Sequence, residues 1–408
     1  MKNYILLSAF LLSTTTIFGQ QNQVESDSTK TQTLEEVLVQ SVRVKPNAPI
    51  THSNLTKAQL ESRNLGQDLP ILLNYLPSVV TTSDAGAGIG YTGIRVRGVS
   101  PLSTNVTING IPFTDAESLG AFWVNMPDFT SSVESLQLQR GVGTSTNGSG
   151  AFGASVNILT DASSYTPTAE VSNSFGSYNT RKHSVKFSTG KINDVFELSG
   201  RLSTINSDGY VDRAFSDLKS YFLQGTYNNN GTLIKALVFG GHEKTYQSWE
   251  GLTKQQLEDD RRQNPYTYEN EIDNYKQDHY QLHWNQKLNQ NWSTNLGLNY
   301  TYGRGYYEQY RENDAVSTYG GIVEATGVDF YGTAVTDLIR RRWLDNDFYV
   351  INATANYKES DLNLIVGGSY SNYDGDHFGE VIWARQFASG TSIRDQYYFG
   401  NGKKTDFS

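Results

Sequence analysis

Few residues in this chain have the types and spacing that chemistry needs. His279 and His283 are four positions apart, the spacing that would chelate a metal ion on a helix. Their neighbours, however, alternate with a period of two: Tyr280, Leu282 and Trp284 against Gln281, His283 and Asn285. On such a strand the two imidazoles share a face but lie about 13 Å apart at ~3.3 Å per residue, too far for one ion. Asp374-Gly375-Asp376-His377 has the oxygens for a hard cation, but is expected in a long loop as a solvated turn. Glu258-Asp259-Asp260 followed by Arg261-Arg262 reads as a solvated loop face. Arg340-Arg341-Arg342 is expected where a long loop enters a strand, with cations available to phosphates or to an anionic ligand. Gly86-Ala87-Gly88-Ile89-Gly90 and Gly141-Val142-Gly143-Thr144 look like phosphate loops but lack the Gly-Lys-Ser/Thr ending and the strand–helix frame. They read as turn and close-packing devices. No nucleophile, base and orienting group stand together. The expectation is no enzyme, no metal and no cofactor.

The elements that carry these residues fall into two regions. The chain has 408 residues, a net charge of -9, 18% charged and 37% hydrophobic residues, and no cysteine. Without Cys, thiol catalysis, thiolate-bound metals and disulfides are excluded. The acidic balance argues against nucleic acid as a partner. A mean hydropathy of -0.50 rules out a bundle of membrane helices, but a transmembrane barrel averages its apolar and polar faces and stays allowed. Residues 1–160 hold 3 of the 26 Tyr, 1 of the 6 Trp and 7 of the 9 Pro. The remainder is aromatic-rich and nearly free of proline, as a long run of paired strands should be.

At the N-terminus, Lys2 precedes an apolar stretch from Tyr4 to Leu12, with small residues leading to Gly19. Residues 1–19 are therefore expected to be an export signal, too short to span a bilayer. Residues 20–49 read as a flexible segment interrupted by a sticky strand at 34–42. A lone exposed strand is a natural donor for pairing with a partner's sheet edge. Residues 50–160 read as a small α+β domain. Thr56 with Gln59 makes a capping box, Asp68 is expected to cap a second helix, Gly93 to Gly98 form a short strand, and Asn109-Gly110 marks a tight hairpin. Val133 to Gln139 and Ala154 to Leu159 are further strands.

These residues carry a family resemblance. Leu34, Glu35, Glu36, Val37, Leu38 and Val39, within the segment 34–42, resemble the TonB box of TonB-dependent outer-membrane receptors. Ile94-Arg95-Val96-Arg97-Gly98, Ile108-Asn109-Gly110-Ile111-Pro112 and the stretch around Gln139-Arg140-Gly141 resemble that family's plug domain. The likeness is greatest to Bacteroidetes-type receptors for iron–siderophore complexes. It implies the outer membrane of a Gram-negative bacterium, TonB and the outer-membrane lipid as partners, and a small-molecule ligand such as a ferric siderophore. It also implies a lock in which Arg95 and Arg97 are held by barrel carboxylates, and ligand-facing plug turns that include Gly90, Tyr91, Asp115, Glu117 and Ser118. Cobalamin or a glycan is the alternative cargo; an adhesin, a passive channel or a soluble carbohydrate-binding protein is the alternative class.

The second region supports a barrel by itself. Trp292, Thr294, Leu296, Leu298, Tyr300 and Tyr302 alternate with small and polar residues, as do Tyr349, Ile351, Ala353, Ala355 and Tyr357. Strands of about ten residues with aromatic ends fit a lipid-facing band. Short connections near 190–194, 228–232, 288–291 and 358–361 alternate with long ones near 206–217, 246–275, 306–340 and 373–395. The expected fold is an α+β plug domain followed by antiparallel transmembrane β-barrel strands at 161–408. An eight-stranded barrel is filled by its own side chains, whereas about 22 strands enclose a plug. Roughly ten strands are visible. The barrel is therefore expected to be incomplete and the chain to be an N-terminal portion.

Overall fold

A computed structural model describes residues 43–44, 49–142 and 152–408. The expected signal and the 34–42 segment lie outside the described residues. The first region builds a five-stranded sheet from β1 (His52–Thr56), β4 (Thr104–Ile108), β5 (Ile111–Pro112), β6 (Val133–Arg140) and β7 (Ala154–Thr160). Its order is β1-β6-β7-β4-β5, with one parallel pair, β4 and β7. Beside it, β2 (Val79–Ser83) and β3 (Thr92–Val96) form a separate two-stranded ribbon. Val106, Leu136, Leu138, Val156 and Ile158 are buried almost completely, as expected of strands covered on both faces.

Local chemistry accounts for the turns. Asn109 and Gly110 both take positive φ (52° and 82°), so Ile108 pairs with Ile111 across a two-residue turn. The Thr56–Gln59 box starts α1 (Lys57–Glu61). Asp68 does precede α2 (Leu69–Leu72), but its side chain makes no cap; its carboxylate accepts from the Thr92 hydroxyl at 2.9 Å. The expected strand at 93–98 ends at Val96, because Arg97 and Gly98 turn with φ of 54° and 76°.

The second region is a meander of ten strands: β8 (Thr168–Phe175), β9 (Arg181–Ser188), β10 (Phe196–Ser207), β11 (Ser216–Asn229), β12 (Thr232–Tyr246), β13 (Ile272–Lys287), β14 (Trp292–Ala315), β16 (Ala334–Glu359), β17 (Leu362–Ala384) and β18 (Gln396–Phe407). The short β15 (Gly327–Val328) pairs with β16 off this path. The sheet is not closed; β8 and β18 are its edges. Of the nine connections, four short turns lie at one end, and the short β8–β9 turn with four longer connections lies at the other. Strands β14, β16 and β17 reach 24, 26 and 23 residues, well beyond the expected ten, so much of the predicted loops at 306–340 and 373–395 is hairpin. Asp374 to His377 therefore belong to β17, not to a loop, and Asp374 pairs with Lys403 at 3.1 Å.

Alternate residues of each strand face opposite ways. Tyr280, Leu282 and Trp284 are exposed on the outer face, whereas His279, Gln281 and His283 are buried toward the plug. His279 stacks on Phe239 at 4.7 Å and reaches Thr301 Oγ1 at 2.9 Å. These histidines are lumenal polar residues, and among the described residues no cluster of three or more His, Cys, Asp or Glu could hold a metal ion.

Candidate functional site

The sheet's concave face grips the plug through buried ion pairs whose sign is unlike the one implied by the resemblance. Asp128, at a positive φ of 53°, is buried in the turn before β6. Its carboxylate meets Lys182 Nζ at 2.5 Å and Arg201 NH1 at 3.0 Å, and accepts from Ser131 (2.6 Å), Ser203 (2.7 Å) and Asn64 (3.2 Å). Burial pushes the Asp128 carboxyl upward, but Arg201 and Lys182 outweigh it and hold the group well below the usual carboxylate range. A second plug-side acid, Asp161, receives Lys57 at 2.8 Å and Lys186 at 2.6 Å. Lys182, Lys186 and Arg201 of the sheet thus hold carboxylates of the plug, with Lys57 of the plug itself adding to Asp161.

Arg95 and Arg97 are exposed, and neither makes an ion pair among the described residues. Arg140 is buried; it donates to the Pro77 carbonyl at 3.0 Å and to Ser53 Oγ at 2.9 Å, and burial together with nearby Arg97 lowers its pKa. Gly141 turns with φ of 92° beside the Arg97 guanidinium, while Gly98 faces open space. Asn109 ties the β4–β5 turn to Thr160 at 3.1 Å, and Asn352 of β16 donates to the Gly110 carbonyl at 3.1 Å.

On the long-connection side, plug turns and strand walls enclose a cavity of about 320 Å³. Tyr91 and Asp115 enter it from the plug, and Glu243, Asp273, Tyr275 and Arg342 from the sheet. The Tyr91 hydroxyl donates to the Asp273 carboxylate and lies 3.5 Å from Glu243 Oε1. Burial and the adjacent carboxylates raise the Tyr91 hydroxyl well above its usual value. Gly90, with φ of 91°, lets the plug approach β11: an added Cβ would sit 2.8 Å from Ser216 Oγ. Asp115 shapes its turn by accepting from the backbone N–H of Glu117 (3.2 Å) and Ser118 (2.6 Å). Glu117 does not line the cavity; it accepts from Tyr373 at 3.0 Å and lies 2.8 Å from His377 Nε2.

The arginine triplet is engaged within the protein. Arg341 pairs with Glu308 at 2.8 Å, Arg340 bonds Gln309 and lies 3.9 Å from Asp314, and Arg342 donates to the Tyr398 hydroxyl at 3.1 Å. Of the three, only Arg342 reaches the cavity. Sequence reasoning missed Asp128, Lys182, Arg201, Glu243 and Asp273. The available signal was strand phase: in β9, β10, β12 and β13 these charges occur on the polar, plug-facing set of positions.

A family described as "TonB-dependent Receptor Plug Domain" matches residues 45–155. A protein of Acinetobacter baumannii named "Probable TonB-dependent siderophore receptor PirA" is 25% identical over 224 residues, which is 52% of this chain and 28% of that protein. Among solved structures, the "Copper transporter OprC" superposes with a TM-score of 0.64 at 12% identity, over 87% of this chain and 51% of that one. The siderophore receptor PiuA from Acinetobacter baumannii does so with 0.60 at 14%, over 88% and 53%. The chain spans about half the length of these solved relatives, whose likeness fixes the fold: a plug domain with the strands of an outer-membrane barrel. The match over residues 45–155 identifies that part of the chain as a TonB-dependent receptor plug domain.

Proposed function

We propose that the protein containing this chain imports a scarce ligand, a ferric siderophore, across the outer membrane, and that TonB supplies the work. The observation that carries this reading is the cavity beneath the long connections, walled jointly by the plug and the sheet. A ligand held there touches both bodies, so its binding energy can bias how they sit together. The cavity mixes aromatic rings with a few polar groups, the usual make-up of a small-molecule site. Tyr91 and Asp115 face the ligand in this reading, Gly90 and Ser118 belong to the turns that carry them, and Glu117 anchors the second turn to β17. Similarity to a siderophore receptor favours iron over cobalamin or glycan as the cargo.

In the same reading, segment 34–42 pairs as a strand with TonB. The residues just after it are tied to the plug sheet. Arg43 donates to Ser135 Oγ and to the carbonyls of Ser135 and Asn157 at 2.8–2.9 Å, and the Val44 N–H donates to Gln137 at 3.0 Å. A pull on 34–42 is therefore delivered to β6 and β7. Arg95 and Arg97 serve as the lock cations, exposed and without a carboxylate partner among the described residues.

The test is uptake of radioactive iron from individual ferric siderophores by cells expressing the protein with and without residues 34–42. Deletion is expected to abolish uptake and leave ligand binding to the cell surface intact. Unchanged uptake would remove the energy-coupled reading in favour of a passive channel; binding without uptake in both strains would favour an adhesin.

A further inference from the structure

The acids in the wall of the cavity give it a preference for one kind of ligand. Glu243 of β12 and Asp273 of β13 share the plug-facing side of the sheet: Thr245, two residues from Glu243, stands opposite Asp273. The two side chains are buried, with Glu243 1% and Asp273 9% exposed, and both converge on the Tyr91 hydroxyl. Glu243 also accepts from the Thr245 hydroxyl at 3.0 Å. Asp128 and Asp161 each meet two basic side chains, whereas neither Glu243 nor Asp273 forms an ion pair among the described residues. Arg342, the only Lys or Arg in the lining, donates to the Tyr398 hydroxyl at 3.1 Å, and His377 lies against Glu117. Burying a carboxylate is costly unless a cation or several donors face it. This pair is therefore built to receive positive charge.

Asn125 of the plug points to the same chemistry independently. It lines the cavity, is 7% exposed, and its side-chain oxygen has no hydrogen-bond partner among the described residues. Its backbone packs on Gly241, two residues from Glu243 on the same side of β12, so the oxygen and the two acids border one volume. A buried acceptor of this kind is satisfied by an N–H or O–H donor. The remaining walls are aromatic, with Phe113 and Phe122 from the plug and Tyr275, Tyr307 and Trp343 from the sheet. Aromatic rings attract cations, and by keeping water away they strengthen a charge pair formed among them.

We propose that the cavity recognises its ligand through a protonated amine, held by the Glu243 and Asp273 carboxylates beside Tyr91, with Asn125 accepting a further N–H. A primary ammonium brings three N–H donors, one for each of these three acceptors. The inference rests on the cavity being the ligand site and adds the chemistry of the cargo: it carries an ammonium group.

The test uses the full-length protein in neutral detergent and two probes of one shape, phenethylammonium and the neutral phenethyl alcohol, with binding read by tryptophan fluorescence, since Trp343 is in the wall. The parent is expected to bind the ammonium about tenfold to a hundredfold more tightly than the alcohol, the worth of a hydrogen bond to a charged group. Glu243→Gln/Asp273→Asn should bring the two probes within about threefold of each other while still binding the alcohol, which shows the cavity intact. Glu258→Gln/Asp259→Asn, on the exposed helix Lys254–Asp259, should keep the parent's preference. Equal binding of the two probes by the parent, or no binding of the ammonium, overturns the proposal. So does a preference that survives in the Gln/Asn variant. If that variant fails to assemble, the single Glu243→Gln takes its place, with the preference expected to fall at least threefold, and the parent's own comparison still decides against the proposal if no preference is found. Iron uptake without an ammonium preference would overturn this inference alone; an ammonium preference without uptake would leave the site and remove the import reading.

Discussion

Replacing Asp128 with Asn tests whether the ion-pair node holds the plug against the first barrel strands. The substitution preserves size but removes the only carboxylate that pairs with Lys182 and Arg201 among the described residues, and their side chains are 2% and 1% exposed. Removing one partner of a buried ion pair costs about 3–5 kcal/mol, because the remaining charge is left without solvent or counterion. At 1.4 kcal/mol per decade, local opening at this contact should rise by roughly two to three and a half decades. Hydrogen exchange of peptides spanning residues 125–133, followed by mass spectrometry, reads this directly; peptides from β13 and β14 should be unchanged. Adding Lys182→Met and Arg201→Met to Asp128→Asn should recover part of the loss, since no charge then stays buried alone. A change below tenfold in the single variant, or a further loss in the triple, would refute the reasoning. The pH dependence has a definite sign. Asp128 is held below its unfolded value of about 3.9, so its contribution is complete above that value and is lost only as pH falls below about 4. The node should hold throughout neutral and mildly acidic pH.

Two further expectations concern the plug. Gly241 of β12 faces the plug, where a Cβ would collide with the Asn125 carbonyl and lie 2.7 Å from Pro127 Cδ; Gly241→Ala should loosen residues 122–127 by about 1–3 kcal/mol, read as faster hydrogen exchange there. Asp68 is buried, and burial pushes its carboxyl up to about 8 against the opposing hydrogen bonds from Thr92 and the Gly90 backbone. Its folded value is raised, so the Asp68 contribution to plug stability should be complete below about pH 4 and decline as pH climbs toward 8; Asp68→Asn should flatten that decline in a pH series of denaturant midpoints, and an unaltered slope would contradict it.

Much of the site lies where local pattern could not locate it. Tyr91 and Asp115 were named only through the resemblance to the plug domain, although the glycines before Tyr91 mark a turn. Their partners Glu243 and Asp273 stand on strands separated from them by more than a hundred residues, and nothing local to either announces a shared cavity. The strand ends of β14, β16 and β17 were misjudged for a related reason. Beyond the lipid band a hairpin needs no apolar alternation, so Asp374 to His377 look like loop while their backbone continues the ladder to β18. The arginine triplet illustrates the same gap: each cation has a specific partner across a neighbouring strand, and register alone assigns it.

What the sequence determined by itself is whatever period and turn chemistry encode: the division near residue 160, the plug's Asn109-Gly110 hairpin, and the alternating wall with its short and long connections. These follow from neighbours two to four residues apart, so they are written locally. The tertiary structure decided which charges meet. Sheet register sets Lys182, Lys186 and Arg201 opposite the plug's Asp128 and Asp161, and lines up Lys219, His242 and Lys276 on the outer face. A charge's partner and its degree of burial depend on strands brought together by the whole sheet, and a one-residue slip in register would send each of these side chains to the other face.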